Sequence, residues 1–451
     1  MHLVISCDVS RLRSRCVWHL VAAVMTLAAA SQSGAQSPRD RDTVLLGTVL
    51  SLVERANPRL DAARAIARAA RARVPGVTRW QDPQLQFGWM NYELPNLRPM
   101  DAIGMTQLQL MQMVPVTGKL RLAGAAEAAK ADASETRIAD VSLDLRERAS
   151  MVFYDLYAAD GTVVVARETR RLLQDLGEIA SNMYQVGDGR QADVLRANVE
   201  VARMQEDILR MESMRTTMSF RLNVLESAPA EASVGEPRLP IFPAALPALD
   251  TLIQLAEQNR PILRAGAQDV DAAAATGKLA EKEIWPDIQF GLQYGRQPGP
   301  SGAQRMGSLM VGASLPIHAK DRQLQMREEA NAMHAMATAD LAAMRAETRG
   351  AVGEAHASLV RARRLAELYR SSVLPQAEAT VASSLASYRV GTVNFMTLLD
   401  AQMSLNQYRQ QLITLEAEEG KAWAELEMLT GRVLVDANTA KPARPAGGPP
   451  E

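Results

Sequence analysis

The chain has 451 residues, and its 50 lysines and arginines nearly balance its 51 aspartates and glutamates. The resulting net charge of −1 argues against a nucleic-acid partner, which selects a strongly basic surface. Hydrophobic residues make up 47% of the chain but aromatic residues only 4%. Ala, Leu, Val and Met carry the apolar content, a composition that favours long packed helices over a compact globular enzyme.

Residues 1–35 have the pattern of a secretory signal. Basic residues within 11–15 precede an uncharged, mostly apolar stretch over 16–30, and small residues follow at 33–35. Both cysteines of the chain lie inside this segment. The sequence therefore predicts an exported protein with no disulfide, no cysteine for lipid anchoring, no metal bound by cysteine and no cofactor.

A tandem repeat organises the rest of the chain. Three ordered segments recur about 200 residues apart, namely 81–88 with 285–291, 114–116 with 315–317, and 184–197 with 388–401. Five prolines within 226–250 exclude a continuous helix there. We therefore expect a first repeat over 36–225, a proline-rich linker over 226–250, a second repeat over 251–435 and a disordered tail over 436–451.

Each repeat contains a segment in which apolar and polar residues alternate, at 80–115 and at 285–317. In the second, Ile288, Phe290 and Leu292 alternate with glutamine and glycine. This period of two predicts a β-hairpin in each repeat. Two interpretations fit: strands of about 9–11 residues that cross an outer membrane, apolar outside and polar inside, or hairpins that cover a soluble core.

The helical segments favour the membrane interpretation. Residues 119–186 contain no proline and 319–387 contain only Pro375, so each could form a helix on the order of 100 Å long, more than a compact domain needs. Shorter helices are expected over 190–225 and 393–431. Methionines at spacings of seven, three and four predict a coiled-coil seam, with a methionine metal relay as the alternative. They are Met204, Met211, Met214, Met218, Met326, Met333 and Met336.

Four strands per chain cannot close a barrel, and open strand edges in lipid leave backbone groups unpaired. Several copies of the chain must then share their strands. Two copies would give eight strands with an interior filled by side chains, whereas three would give twelve strands and a lumen. The pattern favours a trimeric conduit that the long helices continue beyond the membrane.

The chain resembles the TolC family of outer-membrane efflux proteins over about residues 44–434. The resemblance is carried by 374–377, by Tyr388-Arg389-Val390-Gly391-Thr392 through Leu405, and by Val114 through Lys119, which is most like the heavy-metal efflux branch. It implies a mainly α-helical fold with a small β part: a trimeric 12-stranded transmembrane β-barrel, continued by a long coiled-coil α-helical barrel in the periplasm.

The resemblance also implies partners and a function. The homotrimer would sit in outer-membrane lipid, dock onto a periplasmic adaptor (membrane-fusion) protein and an inner-membrane RND-type pump, and export small solutes passively without being an enzyme. The substrate stays open between heavy-metal cations, drugs and a secreted protein of a type I system. A soluble periplasmic coiled-coil scaffold is a further alternative.

By the same resemblance, a periplasmic gate would involve Asp193, Tyr388 and Asp400, with Tyr388 donating a hydrogen bond to Asp193. Thr397 replaces a second ring aspartate of the family, which weakens any inference of cation selectivity. The alternative is that both aspartates are ordinary solvated residues near helix starts. The helix-tip residues expected to contact the adaptor are Tyr184, Val186, Gly187, Tyr388, Val390, Gly391 and Thr392.

Few other residues point to chemistry. The histidines beyond the signal segment, His318, His334 and His356, have no metal-ligand spacing, and no phosphate-binding glycine loop occurs. Pro375, which has no proline counterpart in the first repeat, is expected to kink its helix. Methionines around the first hairpin could favour Cu(I) or Ag(I), or could simply pack. They are Met90, Met100, Met105, Met111 and Met113.

Overall fold

The computed structural model of the chain describes residues 43–100, 104–299 and 302–441. The expected signal segment over 1–35 and the end of the expected tail, 442–451, lie outside the described residues. Within the described part, long helices predominate and short strands form a small β part. The coarse fold class inferred from the sequence, mainly α with a little β, is confirmed.

The described residues of the first repeat form four helices and five strands. The helices are α1 (Leu46–Ala56), α2 (Pro58–Val77), α3 (Lys119–Gln185) and α4 (Gln191–Leu225). The strands are β1 (Thr43–Leu45), β2 (Gln84–Met90), β3 (Tyr92–Glu93), β4 (Arg98–Pro99) and β5 (Met105–Val114). The helix α3 has 67 residues, and at 1.5 Å per residue it is about 100 Å long.

The second repeat has the same order of hairpin and long helices. The strand β6 (Glu236–Arg238) precedes it, and its own strands are β7 (Ile288–Gly299) and β8 (Gly302–Ala313). Its helices are α5 (Leu249–Asn259), α6 (Pro261–Lys282), α7 (Gln323–Leu368), α8 (Leu374–Arg389) and α9 (Phe395–Thr430). The strand β6 lies in the proline-rich segment between the repeats and pairs in parallel with β1.

The segment expected to be one long helix over 319–387 is two helices. The helix α7 begins only at Gln323, and a π-helical turn over Tyr369–Val373 separates it from α8. Pro375 is the second residue of α8 and has no N–H to donate. The Leu374 N–H bonds to the Tyr369 carbonyl five residues back, so the chain absorbs the proline in a wider turn.

The two hairpins form one four-stranded antiparallel sheet in the order β2-β5-β7-β8. Residues directly opposite each other on neighbouring strands share a face, so the register sorts the side chains into two sets. One face carries Leu85, Phe87, Leu110, Leu292 and Leu309, all of which are exposed. The described part of the chain provides no second layer over this apolar face.

The helices form rows beneath the sheet. Close to the strands, α3 packs between α2 and α6, and α6 packs on α7. Further along, α3 packs between α4 and α9, and α9 packs on α8. A side chain at Gly420 would overlap the ring of Tyr154, so this glycine allows α9 to approach α3 closely.

The first residues of the expected disordered tail are ordered, which corrects its predicted start. The Lys441 N–H donates to the Leu239 carbonyl at 2.7 Å, and the Gly47 N–H donates to the Ala437 carbonyl at 2.9 Å. These backbone bonds hold residues 436–441 against the linker and the start of α1.

Candidate functional site

The two helix tips farthest from the sheet are built alike in both repeats. Gly187 and Gly391 have φ values of +85° and +74°, in the left-handed region that glycine adopts at least cost. The Gly187 N–H donates to the Tyr184 carbonyl at 3.1 Å, and the Gly391 N–H donates to the Tyr388 carbonyl at 3.0 Å. Because a Cβ at either glycine would meet nothing within 4 Å, only the backbone requires glycine here.

The apices of these turns are open to solvent. Val186 and Val390 are 73% and 72% exposed, so both repeats carry an exposed aliphatic side chain at this position. The Thr392 hydroxyl and N–H both donate to the Ser387 carbonyl, which fixes the second turn. The tips therefore present a small, ordered apolar surface.

Tyr388 is buried beneath the second tip. Its ring packs edge-on against Phe395, with 5.6 Å between the ring centroids. Burial raises the pKa of the Tyr388 phenol, and the negative charge of nearby Asp193 raises this pKa further. Within the described part of the chain, the Tyr388 hydroxyl has no hydrogen-bond partner. The structure thus brings the two residues of the expected lock close together without the hydrogen bond.

The remaining expected gate residues are on the surface of α9. Asp400 is exposed, whereas its neighbours Leu398 and Leu399 are buried. The Thr397 N–H and hydroxyl both donate to the Asn394 side-chain oxygen at 2.9 Å, so Thr397 takes part in capping the helix. In the single chain, Asp400 is thus exposed on α9, whereas Tyr388 is buried.

A second distinctive surface is the sheet face opposite the apolar one, called here the polar face. Its positions on the four strands carry eight glutamines, six methionines, one serine and six glycines, and no charged residue. The methionines are Met90, Met105, Met111, Met113, Met306 and Met310. Sequence reasoning found the first four but did not join them to the last two, because the pairing of β5 with β7 was unknown.

A buried lysine joins the two repeats where the sheet meets the helices. Lys119 is the first residue of α3 and is 5% exposed. Its Nζ donates to the Trp285 carbonyl at 2.8 Å and to Asp287 Oδ1 at 2.9 Å, with Glu283 Oε2 at 3.4 Å. No sequence signal indicated this contact, since its partners lie about 165 residues away.

The expected methionine seam is only partly internal. Met204 is buried in the hydrophobic core around Tyr388 and Phe395, and Met211 packs against the same core. Met218 packs against a second hydrophobic core that contains Tyr154. The others are about half exposed on the single chain: Met214, Met326, Met333 and Met336.

No three histidine, aspartate or glutamate side chains of the described ranges could hold a metal ion together. None of the helices described here is long and apolar enough to cross a bilayer.

Comparisons with known proteins point to one kind of molecule. The family described as "Outer membrane efflux protein" matches residues 252–432. The cobalt-zinc-cadmium resistance protein CzcC of Cupriavidus metallidurans is 23% identical over 308 residues, which cover 66% of this chain and 70% of that protein.

Solved structures share the fold over most of the chain. The structure of CusC, studied for its transmembrane channel formation, superposes with a TM-score of 0.74 at 17% identity and covers 86% of this chain and 92% of that one. The outer membrane protein VceC of Vibrio cholerae has a TM-score of 0.73 at 16% identity and covers 86% of this chain and 96% of that one.

These matches confirm the expected outer-membrane location and the expectation of a transport protein rather than an enzyme. With an outer membrane efflux domain matched over residues 252–432 and the fold of these channels over 86% of its length, the chain is similar to outer-membrane efflux proteins, and the resemblance found in its sequence is confirmed.

Proposed function

We propose that the chain is the outer-membrane channel of a tripartite efflux system. Three copies would close a 12-stranded barrel and continue it as a helical tunnel into the periplasm. A periplasmic adaptor and an inner-membrane pump would deliver small solutes to the tunnel, and the channel would pass them on without chemistry.

This proposal rests on one observation. Within the described residues, the sheet has two edge strands that pair on one side only, and each row of helices ends in a helix with a neighbour on one side only. In the sheet, β2 and β8 each pair on one side only within the described residues. The helix rows likewise end at α2 and α7 near the sheet, and at α4 and α8 near the tips. In lipid, each unpaired backbone group of β2 or β8 would cost several kcal/mol.

The direction of the strands allows copies to complete one another. The four strands alternate in direction, so β8 of one copy runs antiparallel to β2 of the next. Such a head-to-tail contact joins two different surfaces and generates a ring when the rotation between copies closes. A ring of eight strands is filled by side chains, whereas twelve strands leave room for a lumen.

The two faces of the sheet have the polarity that a ring in a membrane requires, apolar outside and polar inside. The exposed apolar face, with Leu85 at 66% and Leu309 at 71% exposure, would contact lipid. The polar face would line the lumen. A soluble scaffold, the main alternative class, would leave this apolar face in water, where contiguous exposed apolar surface promotes aggregation.

Engineered disulfides test the ring directly. The cysteines Cys7 and Cys16 lie in the expected signal segment, so the mature chain offers a background free of thiols. We expect Gln86→Cys on β2, combined in turn with Gln304→Cys, Ser308→Cys or Gly312→Cys on β8, to give one pair that cross-links in membranes. Non-reducing gels should then show a ladder that ends at three chains.

The single variants are the matched controls. Head-to-tail contacts bring β2 against β8, so Gln86→Cys alone and each β8 cysteine alone should not cross-link. A dimer from Gln86→Cys alone would show a two-fold contact between equal edges and would contradict the ring. Absence of cross-links in every pair would also contradict it.

At the tips, we propose that the exposed apolar turns around Val186 and Val390 bind the adaptor. The contact surface would comprise Tyr184, Val186, Gly187, Val390, Gly391 and Thr392. Tyr388 and Asp193 would control the width of the tunnel entrance just above it, and Asp400 would form a ring of three carboxylates around the axis, where mutual repulsion favours binding a cation.

For the substrate, we propose heavy-metal cations. The support is the similarity to a protein named for cobalt, zinc and cadmium resistance, together with the thioether groups on the polar face. Drugs and type I secreted proteins are the alternatives that the same architecture would serve.

A further inference from the structure

All six methionines on the strands of the main sheet lie on its polar face. A methionine that served only as an apolar residue would be expected on the opposite face, beside Leu85, Phe87 and Leu309. Instead, the thioethers stand among glutamines and glycines, with no carboxylate or other charge at any position of this face on the four strands.

The first group lies across three strands in one register row. Met111 is opposite Gly291, and Gly291 is opposite Met310. Because strands lie about 4.8 Å apart, the Cα atoms of the two methionines are about 10 Å apart over a residue without a side chain. A Cβ at Gly291 would be 3.2 Å from Met310 Cε and 3.9 Å from Met111 Cγ, so both side chains reach over the glycine.

The Met111 sulfur of this group is turned towards a polar partner. The Gln109 amide donates to Met111 Sδ at 2.9 Å, and Gln109 lies on the same face two residues away. The lone pairs of this thioether therefore point into the polar face and not into an apolar contact.

The second group contains three thioethers in rows that are four to six residues nearer the loops. Met90 is directly opposite Met105, and Met306 is directly opposite Gly295. A Cβ at Gly295 would be 2.6 Å from Met105 Sδ. Met105 thus lies over the glycine that separates it from Met306, as Met310 lies over Gly291.

We propose that these two groups, Met111 with Met310 and Met90 with Met105 and Met306, are binding sites for a soft monovalent cation, Ag(I) or Cu(I), carried as substrate. Thioethers are soft ligands that select such ions, whereas hard divalent cations prefer the carboxylates this face lacks. Each glycine lets thioether side chains from both repeats reach over the same backbone position, where they would hold the ion between them. The assignment of the face to the lumen rests on the proposed function, but the sites themselves lie within one chain.

The test is Ag(I) binding to the mature protein in detergent, in buffer free of chloride and thiols, measured by equilibrium dialysis. We expect about two tight equivalents per chain. Met111→Leu/Met310→Leu should weaken one of them by about tenfold or more, and Met90→Leu/Met105→Leu/Met306→Leu should weaken the other. Leucine keeps the apolar volume and removes the sulfur. The control Met214→Leu/Met326→Leu removes two exposed thioethers on helices and should leave both sites intact.

A measurement on the unaltered protein does not depend on how the variants fold. With ¹³C-labelled methionine methyl groups, Ag(I) should shift the signals of the five site methionines and leave those of Met214 and Met326 in place. Zn(II) should shift none of them. Absence of tight Ag(I) binding would overturn the sites. Ag(I) binding that stays unchanged when the five site methionines are replaced by leucine would overturn them as well. Cross-linked trimers that bind no Ag(I) would refute these sites alone and leave the channel proposal standing.

Discussion

Two tyrosines at equivalent positions of the repeats have different surroundings. Tyr184 is 47% exposed at the first tip, whereas Tyr388 is 4% exposed beneath the second. The Tyr388 hydroxyl is buried near Asp193 without a partner among the described residues. An unsatisfied buried hydroxyl costs about 1–3 kcal/mol. A small inward movement of the start of α4 that lets Tyr388 donate to Asp193 would recover this energy.

We therefore expect Tyr388→Phe to raise the single-channel conductance in planar bilayers. The substitution keeps the ring that packs on Phe395 but removes the group that favours the narrowed tips. Tyr184→Phe, at the exposed equivalent position, is the matched control and should conduct like the wild type. Equal conductance of Tyr388→Phe and wild type would remove this tyrosine from the gate.

For single residues, the sequence predicted on which face of the sheet a strand side chain lies, but it predicted few of the contacts of that side chain. The alternation of Ile288, Phe290 and Leu292 with polar residues is local, so it could be seen in one chain. The contacts of Lys119, and the pairing of Met111 with Met310 across Gly291, depend on which strands become neighbours. That arrangement brings together segments from both repeats and leaves no local pattern.

Among the elements, the start of α3 is tied to the start of β7 by Lys119. The Lys119 side chain is 7% exposed, but its partners Asp287 and Glu283 are 24% and 34% exposed. Loss of the lysine would leave two carboxylates close together and a Trp285 carbonyl without its donor. The contact sets how the helices of both repeats enter the sheet.

We expect Lys119→Met to destabilise the protein by about 2 kcal/mol, below the range for a fully buried pair because the carboxylates keep some solvent. Thermal melting of the helical circular dichroism signal would measure this. Arg64→Met removes a fully surface pair with Asp61 and should change the melting temperature little. Equal melting of Lys119→Met and wild type would show that the cluster is dispensable.

The sequence predicted long helices because proline and glycine are scarce in their segments. It did not predict the π-helical turn at Tyr369–Val373, since Pro375 can be absorbed by a kink or by a wider turn and only the surrounding packing decides. The strands β1 and β6 were also missed. Each has three residues, too few for a periodic pattern.

For the whole molecule, the open ends of the element rows matter more than any single contact. The free edges of β2 and β8 could be anticipated from the strand count. The fact that the helix rows are also open at α2, α7, α4 and α8 became visible only in the folded chain, because helix neighbours are set by packing over the full length of α3.

We expect a strain that lacks this protein to become hypersensitive to heavy-metal salts, because passive export would lose its outlet. Growth in graded cobalt, zinc, cadmium and silver salts, beside a panel of antibiotics and detergents, would measure this. Re-expression of the wild-type chain is the control. Sensitivity confined to antibiotics or detergents would assign the channel to drug efflux.

The unlike tyrosines also have a consequence for symmetry. Three chains around an axis would display six turns, but Tyr184 surfaces at three of them and Tyr388 stays hidden at the other three. Six identical adaptor subunits, one at each turn, would thus contact two kinds of helix tip in alternation. In the proposed assembly, the adaptor subunits would bind in two ways, and one kind of tip could be occupied before the other.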